Sequence, residues 1–225
     1  DGMAYKLKTW RLPEGGRNAR GRPLVNVLPI AAGVSVAAIM PVDVPEEDWD
    51  ELNIVFATTA GDVRRNALSD FTNVKSNGKI AMKLPEGVGL VAARICEPTD
   101  DVLLVTAAGR AIRFRVGDVR VFKGRDSTGV RGIRLAEGDR VVAMSVLRHF
   151  EATPEERAAY LKMRRAVAGP LEAEEAAESE SDAEEAVADI ALPQERYAEM
   201  SAAEELILTV TERGLGKLSS SHDYP

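Results

Sequence analysis

Short apolar runs separated by turn residues recur along the chain and predict β-strands. Residues 55–57, 102–105 and 141–146 are mostly apolar or β-branched, and glycine, asparagine or aspartate bounds each run. A helix would need a longer apolar face with a period of 3.6 residues. The pattern therefore predicts an all-β fold built from short strands.

A Thr-x-x-Gly motif at the end of three apolar runs indicates an internal repeat. The motif occupies residues 58–61, 106–109 and 211–214, and the first two copies lie 48 residues apart. A second match joins residues 83–95 to residues 134–146 at a spacing of 51. Two matches at nearly the same spacing indicate a repeat architecture.

The glycine of each motif predicts a tight hairpin, because glycine readily adopts the positive φ that such turns need. The strand that follows alternates apolar and basic residues, and successive side chains on a strand point to opposite faces. We therefore expect Arg113 and Arg115 to share one cationic face. Ile112, Phe114 and Val116 should share the opposite face, towards the core.

A repeat of about 50 residues with about four short strands has the size of a propeller blade. One such blade cannot cover both of its faces, so blades must pack on neighbours. The predicted organisation is a partial blade at residues 1–52, blades at 53–100 and 101–148, an acidic insertion at 149–205 and the start of a truncated blade at 206–225. We expect the chain to begin and end inside a repeat, with further residues on both sides.

The insertion is strongly acidic and predicted to be partly helical. Residues 151–205 hold 16 acidic and 5 basic residues, whereas the rest of the chain holds 20 acidic and 24 basic residues. Thr153, Pro154 and Glu156 form the signature of a helix start with a capping box, and Gly169-Pro170 should end that helix. Residues 171–189 have almost no large apolar side chain, so we predict disorder there.

Two interpretations of the acidic insertion remain open. It is either a solvated surface loop, or an acidic strip that competes with phosphate groups for the basic face of the repeats.

Composition narrows the class of protein further. Cys96 is the only cysteine, which excludes an internal disulfide and fits a reducing compartment. No signal peptide and no apolar run of roughly 18–20 residues, the length of a membrane span, is found. We predict a soluble, cytoplasmic protein without membrane association.

The motif search yields no predicted catalytic residue, no cofactor site and no metal site in this segment. Cys96 ends an apolar strand and is interpreted as a small core residue. His149 and His222 lack partners at metal-site or triad spacing and are interpreted as surface residues. Trp10 has two interpretations, packing or contact with nucleic acid, because Lys8 and Arg11 flank it.

Basic residues recur after the hairpin glycine in successive repeats, and others lie in the loops between half-repeats. Equivalent positions on successive blades would form a curved band of positive charge, which suits a polyanion better than a small ligand. Such a band binds phosphates without reading sequence and weakens with salt. The predicted DNA-binding residues are Lys6, Lys8, Arg17, Arg20, Arg22, Arg64, Arg65, Lys75, Lys79, Arg113, Arg115, Lys123, Arg125, Arg131, Arg134 and Lys217.

Three segments closely resemble a known family. Gly109-Arg-Ala-Ile-Arg-Phe, Gly129-Val-Arg-Gly-Ile-Arg-Leu and Ala19-Arg-Gly-Arg-Pro-Leu-Val-Asn-Val-Leu-Pro are similar to the C-terminal domain of the DNA gyrase A chain. The resemblance covers nearly the whole chain except the acidic insertion. It implies a β-pinwheel, a propeller-like ring of antiparallel four-stranded blades, with duplex DNA wrapped around its basic rim.

The resemblance also implies a role within a larger enzyme. Wrapping would support ATP-dependent negative supercoiling by a bacterial type II topoisomerase, an isomerase built from two gyrase A and two gyrase B chains. It places the ATP and Mg²⁺ sites and the cleavage tyrosine outside this segment. Arg196-Tyr197 resembles the dipeptide around that tyrosine by chance, since it lies in the insertion.

One departure keeps an alternative open. The glutamine-, base- and glycine-rich box of gyrase A is absent from these 225 residues, which we attribute to truncation upstream of Asp1. One alternative is the C-terminal domain of the topoisomerase IV A chain, which decatenates DNA. The other is a propeller scaffold that binds protein through its loops, with the acidic insertion as the recognition segment and a rim that is apolar or of mixed charge. We expect charge reversal at Arg113 and Arg115 to weaken DNA binding without unfolding the domain.

Overall fold

The computed structural model describes residues 1–124, 127–168 and 192–225. Its described residues fall into two compact units, residues 1–146 and 147–225. The strands are β1 (Met3–Ala4), β2 (Asn53–Thr58), β3 (Asp62–Ala67), β4 (Lys79–Ile80), β5 (Leu90–Cys96), β6 (Asp101–Thr106), β7 (Ala111–Arg115), β8 (Val130–Arg131), β9 (Val141–Leu147), β10 (Leu206–Val210) and β11 (Gly216–Ser220). The α-helices are α1 (Pro154–Ala168) and α2 (Gln194–Ala203).

The four-stranded sheet of the first unit has the order β5-β2-β3-β8. Strand β2 is antiparallel to both β3 and β5, with Val55 opposite Arg65 on one side and Arg94 on the other. The outer strand β8 comes from the next repeat, and Val130 and Arg131 pair with Val63 and Asp62. This sheet is therefore completed by a strand that the following repeat supplies.

The same exchange occurs one repeat earlier. Strand β4 pairs with β1, with Met3 opposite Ile80 and Ala4 opposite Lys79, and the chain then returns to its own sheet as β5. The second repeat forms a three-stranded sheet in the order β7-β6-β9. Sequence analysis predicted four antiparallel strands per blade, but not that the fourth strand is exchanged.

All three Thr-x-x-Gly motifs form the same hairpin turn. The glycine N–H donates to the threonine carbonyl at 3.0, 3.0 and 2.9 Å at residues 58–61, 106–109 and 211–214. The threonine Oγ1 accepts the N–H of the residue four positions later, at 3.1, 3.3 and 3.1 Å. The three glycines have φ of +85°, +80° and +81°. The prediction of a tight turn at each glycine is thus confirmed.

Gly61 is also the point where the next repeat docks. Its carbonyl accepts the N–H groups of Gly132 and Ile133 at 2.9 and 3.2 Å, and Gly2 accepts those of Ala81 and Met82 at 2.9 and 3.2 Å. A Cβ on Gly61 would lie 2.9 Å from the Ile133 carbonyl oxygen. Glycine is therefore required both for its backbone conformation and for this close approach.

Strand β2 is buried on both faces, which explains why its sequence does not alternate. Val55 and Ala57 pack in one apolar cluster with Leu104 and Val141. Ile54 and Phe56 pack in a second cluster with Trp49, Phe71 and Met82. A central sheet with a neighbour on each side has no free face, so residues between its apolar positions are also interior.

The second unit contains α1, α2 and the β10–β11 hairpin. The predicted capping box of α1 is present, because Thr153 N donates to Glu156 Oε2 at 2.9 Å and Glu156 N donates to Thr153 Oγ1 at 3.2 Å. Helix α2 was not predicted. Gly169-Pro170 and the acidic residues 171–189 lie outside the described residues. In the described part of the chain, no helix has the length and apolarity to span a membrane.

Candidate nucleic-acid interface

The basic residue four positions after the hairpin glycine is a structural clamp. At this position Arg65 donates from Nε to Asn53 Oδ1 at 2.7 Å, which joins β3 to β2. Its Nη1 donates to the carbonyls of Val116 and Val119, both at 3.1 Å, in the turn after β7. Arg65 is 8% exposed. It therefore fastens two neighbouring repeats to each other from the interior.

Arg113 repeats this arrangement 48 residues later. Its Nε donates to Asp101 Oδ2 at 2.8 Å, and Nη2 of Arg113 lies 2.8 Å from the same oxygen. The two side chains are 6% and 4% exposed. Asp101 occupies the position of Asn53, so the same cross-strand clamp is built once with an amide and once with a carboxylate.

Lys6 holds the equivalent position in the partial blade. Its Nζ donates to the Thr72 carbonyl at 3.0 Å, lies 2.6 Å from Glu46 Oε1 and stands 4.7 Å from the Trp49 ring centroid. The hydrogen bond from Lys6, followed by that from Lys8, holds the pKa of Glu46 below its usual value. The periodicity of these cations thus follows from structural contacts within and between repeats.

Arg64 is also interior. It is fully buried, its Nε donates to Asn66 Oδ1 at 2.8 Å, and its Nη1 donates to the Ser127 carbonyl at 2.6 Å. Its Nη2 donates to the Gly124 carbonyl.

The placement of Arg64, Arg65 and Arg113 on an exposed rim is therefore corrected. For Arg64 and Arg65 the physical reason is that β3 is buried on both faces, so alternation does not separate a wet face from a dry one. For Arg113 the reason is its pairing with the buried Asp101 carboxylate on β6. The expected face pattern is also wrong for Ile112, which is 37% exposed while Arg113 is nearly buried. Charge reversal at Arg113 would place two carboxylates together in the interior, so we now expect that variant to destabilise the domain.

Of the fifteen exposed cations that the structure describes in residues 1–146, five lie in residues 8–22 and six lie on two stretches that we call crossover segments, residues 72–83 and residues 120–124 with 127–134. Each segment leaves the turn of one repeat and reaches the sheet edge of the preceding repeat. In the second segment, Val121 forms a bridge to Arg65 and Arg131 pairs with Asp62. The two anchor points on strand β3, Asp62 and Arg65, are three positions apart, a distance of about 10 Å. The crossover segment therefore follows one sheet edge and exposes its cations there.

Most of the predicted DNA-binding residues outside the interior clamps are exposed. Those in the first unit are Lys8, Arg17, Arg20, Arg22, Lys75, Arg115, Lys123, Arg131 and Arg134, and Lys217 is exposed in the second unit. Lys79 is half-buried, and its Nζ donates to the Asp70 carbonyl and lies 5.7 Å from the Phe71 ring centroid. Arg125 lies outside the described residues.

The structure adds exposed cations that sequence reasoning missed. Arg120 lies in the second crossover segment and stacks on Phe122 at 4.1 Å from the ring centroid. In the first unit the others are Arg11, Lys83, Arg94, Arg110 and Arg140. Lys83 aligns with Arg134 and was overlooked, whereas the remaining residues do not align with another cation, so the search for periodic charge did not select them.

Trp10 is the single exposed residue among the eleven aromatic residues of the chain, all of which the structure describes. It is 77% exposed, and the Arg11 guanidinium carbon lies 5.1 Å from its ring centroid. Exposure leaves the interpretation as a nucleic-acid contact open. Trp49 is buried and donates from Nε1 to the Val44 carbonyl at 3.0 Å.

The cysteine and the two histidines form no catalytic constellation with the residues that the structure describes. Cys96 is buried, as predicted, and burial raises the pKa of its thiol to about 12, which keeps the nucleophilic thiolate scarce. His149 is half-buried and contacts Glu151 Oε2 at 3.1 Å. His222 was interpreted as a surface residue, and this is wrong, because it is 3% exposed and its Nε2 lies 3.0 Å from the Met200 carbonyl oxygen. Within the described ranges, no three potential metal ligands cluster.

Repeated antiparallel sheets that exchange strands between neighbours place the chain among the propeller-like β-proteins. Comparison of sequences then gives the family. The chain matches the DNA gyrase C-terminal domain, beta-propeller, over residues 1–43, 52–97, 100–148 and 205–225, more than half of its length. The chain belongs to this family. The unmatched stretch includes α1 and α2, which agrees with an insertion between repeats.

Curated relatives agree with the family. The DNA gyrase A chain of Granulibacter bethesdensis is 50% identical over 99% of this chain and 24% of the relative. The DNA gyrase A chain of Rickettsia bellii is 44% identical, with the same coverage. The chain therefore spans about a quarter of the length of these relatives.

A solved structure supports the fold. The C-terminal domain of DNA topoisomerase IV superposes with a TM-score of 0.51 and 22% identity, over 57% of this chain and 39% of that chain. At this identity the likeness concerns the arrangement of strands. It agrees with the predicted pinwheel-type architecture.

Proposed function

We propose that this chain binds and wraps duplex DNA as the C-terminal region of a DNA gyrase A chain. The observation that carries the proposal is the second crossover segment. Along one sheet edge it exposes four cations, Arg120, Lys123, Arg131 and Arg134, and the first crossover segment exposes Lys75 and Lys83 one repeat earlier. Cations on successive edges suit the regularly spaced phosphates of a duplex.

The interior clamps support this proposal in a different way from the one the sequence suggested. Arg65 and Arg113 are committed to holding strands together, so DNA contact would fall to the crossover segments and to the exposed residues Arg17, Arg20 and Arg22. Because Arg65 and Lys6 fix one repeat to the next, the exposed cations would be carried on a rigid frame. A rigid, curved array of cations would bend the DNA that follows it.

In the complete enzyme, wrapping would support ATP-dependent negative supercoiling. The assembly would contain two gyrase A and two gyrase B chains, and its other parts would supply the cleavage tyrosine, ATP and Mg²⁺. Identity of 50% and 44% to the gyrase A chains of two bacteria favours gyrase over topoisomerase IV. The presence of the other gyrase A domains and of the gyrase B chain is part of what we propose.

The proposal is tested with the full-length protein carrying Arg131→Gln and Arg134→Gln. Loss of two phosphate contacts should weaken binding to mixed-sequence duplexes about tenfold for every sequence, and should reduce the slope of log K against log salt by about two. The matched control, Arg131→Lys with Arg134→Lys, keeps both charges and should bind within about twofold of the wild type.

Wrapping is measured separately, as the linking-number change left in a plasmid relaxed in the presence of the protein. We expect the change to be smaller with the glutamine pair than with the lysine pair. The proposal fails if the unaltered full-length protein does not bind duplex DNA at low salt. It also fails if the glutamine pair binds and wraps as the wild type does.

A further inference from the structure

Arg64 differs from the other interior cations because its guanidinium holds a loop rather than a strand pair. It has 0% exposure, and its Nη1 and Nη2 donate to the Ser127 and Gly124 carbonyls. These two carbonyls lie on the second crossover segment, 63 and 60 residues from Arg64 in sequence. A buried guanidinium is costly to desolvate, so it is retained where its donors meet acceptors, as they do here.

Asn66 extends this anchor. Its Oδ1 accepts from Arg64 Nε at 2.8 Å, while its Nδ2 donates to the Phe122 carbonyl at 2.8 Å and to Asp70 Oδ2 at 3.0 Å. Arg64 and Asn66, both on β3, thus hold the carbonyls of Phe122, Gly124 and Ser127. The N–H of Phe122 also donates to the Arg65 carbonyl at 2.8 Å.

The anchored stretch carries exposed cations. The Phe122 ring lies 5.3 Å from the Arg64 guanidinium carbon and 4.1 Å from that of Arg120. Phe122 is buried, whereas Arg120 and Lys123 are exposed. The interior cation therefore fixes the ring on which one exposed cation rests and the backbone next to the other.

The repeat that precedes this one is built differently. Tyr5 occupies the position of Arg64, three residues after the hairpin glycine, and its hydroxyl donates to the Pro29 carbonyl at 3.5 Å. A Cβ on Gly78 of the first crossover segment would lie 2.8 Å from the Tyr5 ring, so contact there is by packing. Of these two crossover segments, the guanidinium anchor holds the one that exposes more cations.

We propose that Arg64 is a positioning residue for DNA binding, which, with Asn66, holds the backbone at Phe122, Gly124 and Ser127 so that Arg120 and Lys123 meet phosphates with their geometry already set. This rests on the proposed function. Arg64 itself does not contact DNA in this scheme. Its effect on affinity acts through the two exposed cations, because ordering them before binding lowers the entropy lost on binding.

A double-mutant cycle in the full-length protein tests the proposal. Arg64→Met keeps the length of the aliphatic stem and removes the donors, and we expect it to weaken duplex binding about fivefold, in the range of a lost preorganising contact. In a background of Arg120→Ala with Lys123→Ala, the same substitution should change affinity less than about 1.5-fold, because coupled positions are not additive. Amide hydrogen exchange at Phe122, whose N–H donates to the Arg65 carbonyl, should become faster with Arg64→Met, with or without DNA.

The following results would overturn the proposed role of Arg64. Equal losses in both backgrounds would show that Arg64 acts independently of the two exposed cations, and would overturn the proposal. Unchanged exchange at the Phe122 amide, or faster exchange with normal affinity, would also overturn it. If Arg64→Met does not fold, Arg64→Lys keeps the charge but cannot make all three hydrogen bonds, and the same criteria apply to it. Absence of DNA binding by the unaltered protein overturns the proposed function itself and is seen before any variant is compared.

Discussion

At the scale of single residues, the same cross-strand position holds an amide in one repeat and a carboxylate in the next. Arg65 pairs with Asn53 at 2.7 Å, and Arg113 pairs with Asp101 at 2.8 Å. The guanidinium is thus the constant partner, and its acceptor varies. A neutral acceptor suffices for Arg65 because two backbone carbonyls accept further hydrogen bonds from it.

This comparison predicts unequal effects of removing either partner of the Arg113 pair. Arg113→Met leaves a carboxylate buried without its cation, and we expect the free energy of unfolding to fall by about 3–5 kcal/mol. Asp101→Asn recreates the Asn53 arrangement and should cost only about 1–2 kcal/mol. Urea unfolding of the two variants measures the difference. Equal losses would contradict the equivalence of the two clamps.

At the scale of elements, the turn glycines are alike in conformation and unlike in surroundings. Gly61 has φ of +85° and Gly138 has φ of +77°. A Cβ on Gly61 would meet Ile133 at 2.9 Å, whereas one on Gly138 would meet no atom within 4 Å. The first glycine therefore serves both turn and docking, and the second serves the turn alone.

Alanine substitution separates these two roles. We expect Gly138→Ala to cost about 1 kcal/mol, the strain of a left-handed residue with a side chain. Gly61→Ala carries the same backbone strain and should lose a further 1–3 kcal/mol, roughly, by forcing Ile133 away. Chemical denaturation of both variants provides the measurement. If Gly61→Ala were as stable as Gly138→Ala, Ile133 would be able to move away from the added methyl group at no cost in stability.

Helix α1 is joined to helix α2 by a hydrogen bond between Glu156 and Arg196, which also lowers the pKa of the Glu156 carboxyl. Arg196 Nε donates to Glu156 Oε1 at 2.9 Å, and Glu156 Oε2 accepts from Thr153 N. The Arg196 hydrogen bond, followed by that from the Thr153 backbone, lowers the pKa of Glu156 below its ordinary 4.5. The folded unit therefore favours the ionised carboxylate.

Because the folded pKa is lowered, the stabilisation is complete above the ordinary pKa of Glu156 and is lost as the pH falls through the folded value. We expect the stability of the unit at residues 147–225 to decline below about pH 4.5, close to the ordinary Glu pKa. Glu156→Gln should reduce this decline of stability at low pH. The stability of each variant is measured by circular dichroism of the helices as a function of pH. The control is Glu195→Gln in helix α2, which should leave the curve unchanged. If Glu156→Gln and the wild type lost stability equally at low pH, ionised Glu156 would not be the group that stabilises this unit.

At the scale of the whole molecule, the net charge is the sum of an acidic segment and a basic remainder. The chain has a net charge of −7, yet residues 151–205 contribute −11 and the remainder +4, from 16 acidic with 5 basic and 20 acidic with 24 basic residues. The basic repeats and the acidic insertion therefore need separate consideration. Charge that is solvated in a loop acts on DNA only within about one Debye length, ~8 Å at physiological salt.

This predicts a small, salt-dependent effect of the acidic insertion on DNA affinity. Replacing the acidic residues between 172 and 189 with glutamine and asparagine should raise affinity less than about threefold at about 0.15 M salt, since screening is then strong. The increase should be larger at about 0.01 M salt, where the Debye length is ~30 Å. Fluorescence anisotropy with a labelled duplex measures both. A gain above about tenfold at the higher salt would favour the competing hypothesis, in which the acids occupy the basic face.

The sequence alone determined the repeat, the hairpin turns and the capping box. These features are local, because a positive-φ glycine, the threonine that opens its turn and an N-cap threonine act on their immediate neighbours. The family resemblance also followed from short contiguous segments. Periodic hydrophobicity and turn chemistry were sufficient for the class of fold.

Only the tertiary structure decided which cations are available. Arg65 and Arg113 carry the strongest periodic signal, and Arg64 lies next to Arg65. All three are interior, because β3 is buried on both faces and the buried Asp101 carboxylate holds the Arg113 guanidinium. Arg120 carries no periodic signal and is exposed on a crossover segment. Burial depends on what packs against a strand from a distant part of the chain, and the exchange of β8 between repeats sets that packing. A local pattern of charge contains no information about such a distant partner. The sequence therefore predicted a cationic surface, but not which individual cations are exposed on it.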